Sequence, residues 1–255
     1  MEILTNNHKY DTLDSDASSA ANSFRVTDIR AALRDENRVN IFLDGKFSFS
    51  LDLSQVVDYK VKVGKRLSAE EVEELKHASA FSILYQRTLE WVFMRPRSVR
   101  ETRDYLRLRK TRRTLDNRRR LENAKQPLEI RRDRKLPTKI LPEILDEDIE
   151  AVISRLVEKN YLNDENFAKY FLENRLARKG ASERRLREEL MKKGIDKRTI
   201  DAAFADTPRD EKDDILKIIE KKRRKYPDDQ KLKQYLLRQG FHYDSIIDAL
   251  ATFDS

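Results

Sequence analysis

The stretches RLREELMKKGIDKRTIDAAF (residues 185–204) and KLKQYLLRQGFHYDSIIDAL (residues 231–250) align without a gap at an offset of 46 residues, a period typical of helical repeats. Leu186 matches Leu232, Leu190 matches Leu236, Gly194 matches Gly240, Ile195 matches Phe241, Ile200 matches Ile246, and Ala203 matches Ala249. Polar positions differ freely, as expected when the matched ones form the core. Each copy reads as a helix, a glycine stop and a second helix. The glycine takes the left-handed conformation that closes the first helix, and the next apolar residue folds back on its last turn. A preceding helix, IEAVISRLVEKNYL (149–162) or DDILKIIEKKRRKY (213–226), is expected to complete a three-helix unit. One such unit buries too little alone, so neighbours must stack. The fold class is therefore mainly α, with tandem three-helix repeats in an elongated array.

A degenerate earlier copy fits SVRETRDYLRLRK (98–110), where Leu106 stands for Leu190 and Lys110 occupies the glycine position. About 33 extra residues then intervene before IEAVISRL. Between Arg100 and Lys135 the chain carries 15 Lys/Arg against 6 Asp/Glu, an excess that accounts for the whole net charge of +8. Such an excess suggests a polyanionic partner. Good helix formers run unbroken to Gln126-Pro127, so the first half of the insertion is expected to extend the preceding helix as an arm.

Upstream of the helices the period changes. Val39, Ile41 and Leu43 alternate, Asp44-Gly45 follows, and Phe47, Phe49 and Leu51 alternate again. Asp-Gly suits a type I′ turn, in which both central residues need positive φ, so this is a β-hairpin. Phe24, Val26 and Ile29 are expected to add a third strand, because an isolated hairpin is only marginally stable. Ser68 with Glu71 forms a capping box that opens a helix running to about Arg95, where Pro96 stops it. Ser98 with Glu101 opens the next in the same way. The expected organisation is a disordered leader (1–23), a small β-rich extension (24–67), a first helical repeat (68–160) with a basic insertion at about 111–143, a second repeat (161–206) and a third (207–255).

Of the 255 residues 39% are charged and 38% apolar, with 5 Gly and 6 Pro. Long solvated helices with narrow apolar stripes follow, rather than a broad core around a deep cleft. With no cysteine, disulfides, thiolate metal sites and cysteine nucleophiles are excluded, and a reducing cytoplasm fits. His8, His77 and His242 are far apart and form no ligand-spaced pair, so no metal site is expected. There is no phosphate-binding glycine loop, no membrane-spanning apolar run and no signal pattern. No cofactor and no catalytic residue are expected. Asp164 and Glu165 stand at a helix start, where carboxylates cap amides and offset the helix dipole.

Two groups of cations are candidate contacts for a partner or for DNA. The first is Arg97, Arg100, Arg103, Arg107, Lys110, Arg112 and Arg113; positions 100, 103, 107 and 110 fall on one helix face. The second is Arg184, Arg185, Arg187, Lys192 and Lys193, interleaved with Glu183, Glu188 and Glu189. Pairing with nearby carboxylates is the competing reading of both. Trp91, Tyr105, Tyr161, Phe167, Tyr170 and Phe171 are expected to be core, because they lie on the apolar stripes of their helices.

The sequence resembles the RecX family of regulatory proteins in Arg95-Pro96-Arg97-Ser98 with Glu101 and Leu106, in YLNDENFAKYF (161–171), in Asn174-Arg175 and Lys179-Gly180, and in RRLREELMKKGI (184–195). The order and spacing of these strings together make the resemblance specific, and it covers about residues 24–253 apart from the basic insertion. The departure is at Lys110, where a glycine and an immediate second helix are usual. The resemblance implies a non-enzymatic, cytoplasmic, monomeric protein that binds RecA filaments on single- or double-stranded DNA and restrains RecA ATP hydrolysis and strand exchange. A helical nucleic-acid-binding protein that uses its basic arm without RecA is the alternative.

Overall fold

Asp44 and Gly45 turn the chain with φ of 48° and 77°, and the strands on either side pair antiparallel, Leu43 opposite Lys46 and Ile41 opposite Phe49. This is the hairpin expected from the alternation. The structure is a computed structural model that describes residues 23–33, 35–125, 140–179, 181–207 and 210–253. The leader, save Ser23, and the stretch 126–139 of the basic insertion lie outside the described residues. The chain divides into two units, residues 1–84 and 85–255.

In the first unit the strands are β1 (Ser23–Ala32), β2 (Asp35–Leu43) and β3 (Lys46–Asp52), followed by helix α1 (Leu53–Asp58) and strand β4 (Arg66–Ser68). The sheet has four antiparallel strands in the order β3-β2-β1-β4, where three strands were expected. The extra strand is three residues long, too short to show any alternation, and pairs Ser68 with Ser23. Val26, Ile41, Leu43, Phe49 and Leu51 turn one face of the sheet inward, onto Val72 and Leu75 of helix α2 (Ala69–Phe93). The capping box forms as read: Glu71 N–H donates to Ser68 Oγ at 3.1 Å, and Ser68 N–H to Glu71 Oε2 at 2.7 Å. Arg38 is buried, donating to Ser82 Oγ at 2.7 Å and to the Ser50 carbonyl at 2.8 Å.

The second unit holds the end of α2 and helices α3 (Val99–Ala124), α4 (Asp146–Glu158), α5 (Asp164–Lys179), α6 (Glu183–Lys192), α7 (Lys197–Asp206), α8 (Glu211–Lys222), α9 (Asp229–Arg238) and α10 (Tyr243–Phe253). All ten matched apolar residues of the repeat are at most 3% exposed. Leu186, Leu190, Ile195, Ile200 and Ala203 share one core with Phe167, Ala168 and Leu172 of α5. Leu232, Leu236, Phe241, Ile246 and Ala249 share the equivalent core with Ile215, Ile218 and Ile219 of α8. The helix completing the earlier of these triplets is therefore α5, not IEAVISRL, which becomes α4. The heptad-like spacing of Ile149, Val152, Ile153 and Leu156 marks a buried face but not its owner, and α4 packs on α3. At the degenerate copy, α3 runs through Lys110 to Ala124, as the arm requires. Lysine resists the positive φ that a stop needs.

Both glycine stops close as Schellman motifs. Gly194 and Gly240 have φ of 85° and 90°, and the amides of Ile195 and Phe241 reach back to the carbonyls of Leu190 and Leu236 at 3.1 and 3.3 Å. These helix ends have a second task. Ser98 caps α3 by accepting from Glu101 N–H at 3.0 Å, while its hydroxyl donates to the Lys193 carbonyl at 2.8 Å. Ser182 caps α6 by accepting from Arg185 N–H at 3.3 Å, and its hydroxyl donates to the Gln239 carbonyl at 2.5 Å. Thus the positive start of each second helix meets the negative end of the next one, satisfying a carbonyl that the end leaves open. The approach is close: a Cβ on Gly194 would lie 2.7 Å from Arg100 Cβ, and one on Gly240 would lie 3.0 Å from Ser182 Oγ. Glycine is needed there for clearance as well as for φ.

Candidate interaction surface

The first group of candidate cations lies on or just before α3, and the structure distributes it over two faces. Arg103 grips Glu150 of α4 with two hydrogen bonds of 2.8 and 2.9 Å, and Lys110 pairs with Asp146 at 2.7 Å. The Arg103 hydrogen bond holds the Glu150 carboxyl below its usual range, and Lys110 does the same to Asp146. Arg107, exposed, adds to both effects without a direct ion pair among the described residues. Arg100 is exposed beside Gly194, and Arg112 is exposed. This face is a seam between helices, neutralised in large part by α4.

The other face is different. Arg113 donates to the Pro142 carbonyl at 2.9 Å, and its guanidinium is disfavoured first by burial and then by Arg87, Arg120 and Arg109, with Asp116 offsetting part of the repulsion. The returning chain is fixed here by Asn117, a buried amide that exchanges two hydrogen bonds with the backbone of Leu141, at 2.8 and 3.0 Å. Next to this cluster stands a four-layer pile. The Arg97 guanidinium lies 3.9 Å from the Trp91 ring, Trp91 stacks on Tyr105 at 4.2 Å with planes 5° apart, and Arg109 lies 4.8 Å from Tyr105. Burial, then Arg95, lowers the Arg97 pKa. Trp91 and Tyr105 were expected in the core; both are half-buried, because the guanidiniums of Arg97 and Arg109 cover the ends of the pile. Phe167 is core, at 1% exposed, whereas Tyr161 is exposed and meets Phe93 edge to face.

In the second group, acids take most of the charge. Arg184 pairs with Glu188 and Arg185 with Glu189, both at 3.2 Å, and Arg185 also donates to the Gln239 side chain. Arg187 pairs with Glu183 at 2.7 Å and Asp201 at 2.5 Å, above the Phe204 ring. Lys193 reaches Glu101 at 2.6 Å, and Lys192 is exposed. Glu101 thus bridges Lys193 and Arg95; burial pushes its carboxyl up, but the hydrogen bonds from Lys193 and Arg95 outweigh this and leave it below its usual value. Asp164 accepts the Val99 N–H at 2.9 Å, tying the starts of α3 and α5 together, and burial raises its pKa. Sequence reasoning missed Arg87, Arg109 and Arg120. Counting four and eleven residues on from Arg109, which returns to the same helix face, would have found the α3 members Arg113 and Arg120.

Among the described residues no helix is long and apolar enough to cross a membrane. The fold defines a class: one unit is a small antiparallel sheet, and the other holds glycine-stopped helical triplets docked helix start to helix end, with cations concentrated on one long helix. The family model described as the N-terminal domain of regulatory protein RecX matches residues 24–68, and that of the RecX second three-helix domain matches residues 163–203, which is α5 to α7. The regulatory protein RecX of Bacillus pumilus is 28% identical over 232 residues, covering 88% of this chain and 76% of that protein. That of Bacillus subtilis is 27% identical, covering 88% and 75%, and that of Caldanaerobacter subterraneus is 25% identical, covering 84% and 92%. A crystal structure of regulatory protein RecX shares the fold, with a TM-score of 0.60 at 20% identity over 87% of this chain and 96% of that one. Together these matches support a RecX family protein.

Proposed function

We propose that this protein regulates homologous recombination and DNA repair in the cytoplasm, binding RecA–DNA filaments as a monomer and holding down their ATP hydrolysis and strand exchange. It does so by occupancy, with no reaction of its own. The observation that carries this reading is the pair of RecX family matches, at the sheet and at the central triplet, within one chain. Docked triplets give a continuous surface on which side chains far apart in sequence face one partner. Among the twelve candidate cations, Arg97, Arg100, Arg107, Arg112, Arg113 and Lys192 have no carboxylate partner among the described residues and are the proposed contacts.

The test is DNA-dependent ATP hydrolysis by a cognate RecA, titrated with the full chain. Progressive suppression is expected. Unchanged hydrolysis at several-fold excess over filament subunits rejects the reading. The alternative, a nucleic-acid-binding protein without a RecA partner, draws on the uncompensated arginines of α3 and predicts equal affinity for naked and RecA-coated DNA.

A further inference from the structure

Where the triplet of α5 to α7 meets that of α8 to α10, the surface opens into a groove of about 550 Å³. Ala181, Ile218, Tyr235 and Phe241 give it an apolar lining. Arg175 of α5, Arg185 of α6 and Lys222 at the end of α8 stand around it, and no carboxylate is among the described residues that line it. We infer that this groove binds an acidic peptide segment, taking one large apolar side chain between the triplets while Arg175, Arg185 and Lys222 hold the flanking carboxylates. The site is apart from the cations of α3 and does not depend on the regulator reading.

The groove carries an excess of positive charge. Arg175 and Arg185 share one acid, Glu189, at 3.0 and 3.2 Å, which leaves one charge unmatched. Lys222, without an ion pair among the described residues, makes this two. Lys221 also lines the groove but is already engaged. The acids that share this face of α8 do not cancel the excess, since Asp214 is buried with a partner of its own and Glu211 accepts from Ser245 Oγ at 2.7 Å.

The donors that remain suit carboxylates better than phosphate. Arginine recognises phosphate with a two-pronged fork, and here both forks are spent. Arg175 places Nε and Nη2 on Glu189 at 3.0 Å each, while Arg185 places Nε on Glu189 and Nη1 on the Gln239 side chain. Each keeps a nitrogen for a single bond, which one carboxylate oxygen accepts. The start of α6, at the groove wall, is already met by the end of α9 through Ser182 and the Gln239 carbonyl, so its dipole is not open to an anion. An apolar anchor on the peptide removes the lining from water, which a bare anion does not. Tyr235 is held by stacking on Tyr226 at 5.0 Å, and the two arginines by Glu189, so little rotamer freedom is lost on binding.

The experiment uses the full chain, without RecA or DNA, and fluorescence anisotropy of a labelled peptide of about nine residues, with Asp and Glu around one central phenylalanine. Saturable binding is expected, about tenfold weaker when alanine replaces the phenylalanine and about fivefold weaker in Lys222→Glu. Lys197→Glu, the same change at an exposed site on α7 outside the groove, leaves affinity unaltered. If circular dichroism shows that Lys222→Glu does not fold, Lys222→Gln is expected to weaken binding about twofold. The inference is overturned by a lack of saturation up to about 1 mM peptide, by equal affinity for the phenylalanine and alanine peptides, or by equal losses from Lys222→Glu and Lys197→Glu. ATP or a short DNA strand that displaces the peptide and shows the same dependence on Lys222 would assign the groove to phosphate, and overturns it too.

Discussion

Gly194→Ala tests the docking of one helix on the next. At φ of 85° an alanine pays about 1–2 kcal/mol for the left-handed conformation alone. Its Cβ would also stand 2.7 Å from Arg100 Cβ, about 1 Å inside ordinary carbon–carbon contact. Because Cβ of Arg100 is fixed to the α3 backbone, relief requires the first turn of α3 to withdraw, which strains the Ser98 hydroxyl bond to the Lys193 carbonyl. Overpacking of this kind costs about 1–3 kcal/mol, so the total is about 2–5 kcal/mol. The two parts separate in a double-mutant cycle with Arg100→Gly, which removes the obstructing atom and leaves the backbone strain. Urea unfolding followed by fluorescence of Trp91, the one tryptophan, measures each corner. A coupling of about 1–3 kcal/mol is expected. Additivity of the two substitutions, within about 0.5 kcal/mol, would refute the close approach as the reason for glycine.

Ser182→Ala removes both a cap and the donor to the Gln239 carbonyl, and a loss of about 1–3 kcal/mol in urea unfolding is expected; an effect confined to the few tenths typical of surface sites would contradict the junction. Glu101, held below its usual value in the fold, contributes stability that is full above its unfolded pKa and lost as pH falls through the folded one. Glu101→Gln should therefore flatten the acid limb of the stability curve, and an unaltered limb would speak against the Lys193–Glu101–Arg95 bridge. Asp164 has the opposite sign: its raised pKa makes the charged form unfavourable in the fold, so stability falls as pH rises through that value. Asp164→Asn keeps an acceptor for Val99 N–H and is expected to match or exceed the parent in stability at neutral pH, with the difference shrinking in acid; a large loss at neutral pH would show that the charge itself is required.

Much of the fold was legible because backbone chemistry leaves marks in sequence. Asp44-Gly45, Ser68 with Glu71, and the matched glycines each name a conformation, and each adopts it. The elements that escaped carry no such mark. Strand β4 spans three residues, and the apolar face of α4 (Ile149, Val152, Ile153 and Leu156) gives no sign of which helix covers it, so spacing alone could not assign it to its triplet. The surface was less legible than the core. Residues 100, 103, 107 and 110 form one face by helical geometry, but whether a cation is free depends on carboxylates about 40 residues away, such as Glu150 and Asp146. The pile of Arg97, Trp91, Tyr105 and Arg109 depends on α2 meeting α3, which period alone does not encode.

Co-sedimentation of the full chain with RecA–DNA filaments, assembled on a slowly hydrolysed nucleotide at physiological salt, bears most directly on the regulator reading. The chain is expected to pellet saturably with filaments while remaining largely in the supernatant with the same DNA alone. A chain that stays in solution beside intact filaments, or that pellets equally with naked DNA, would contradict it.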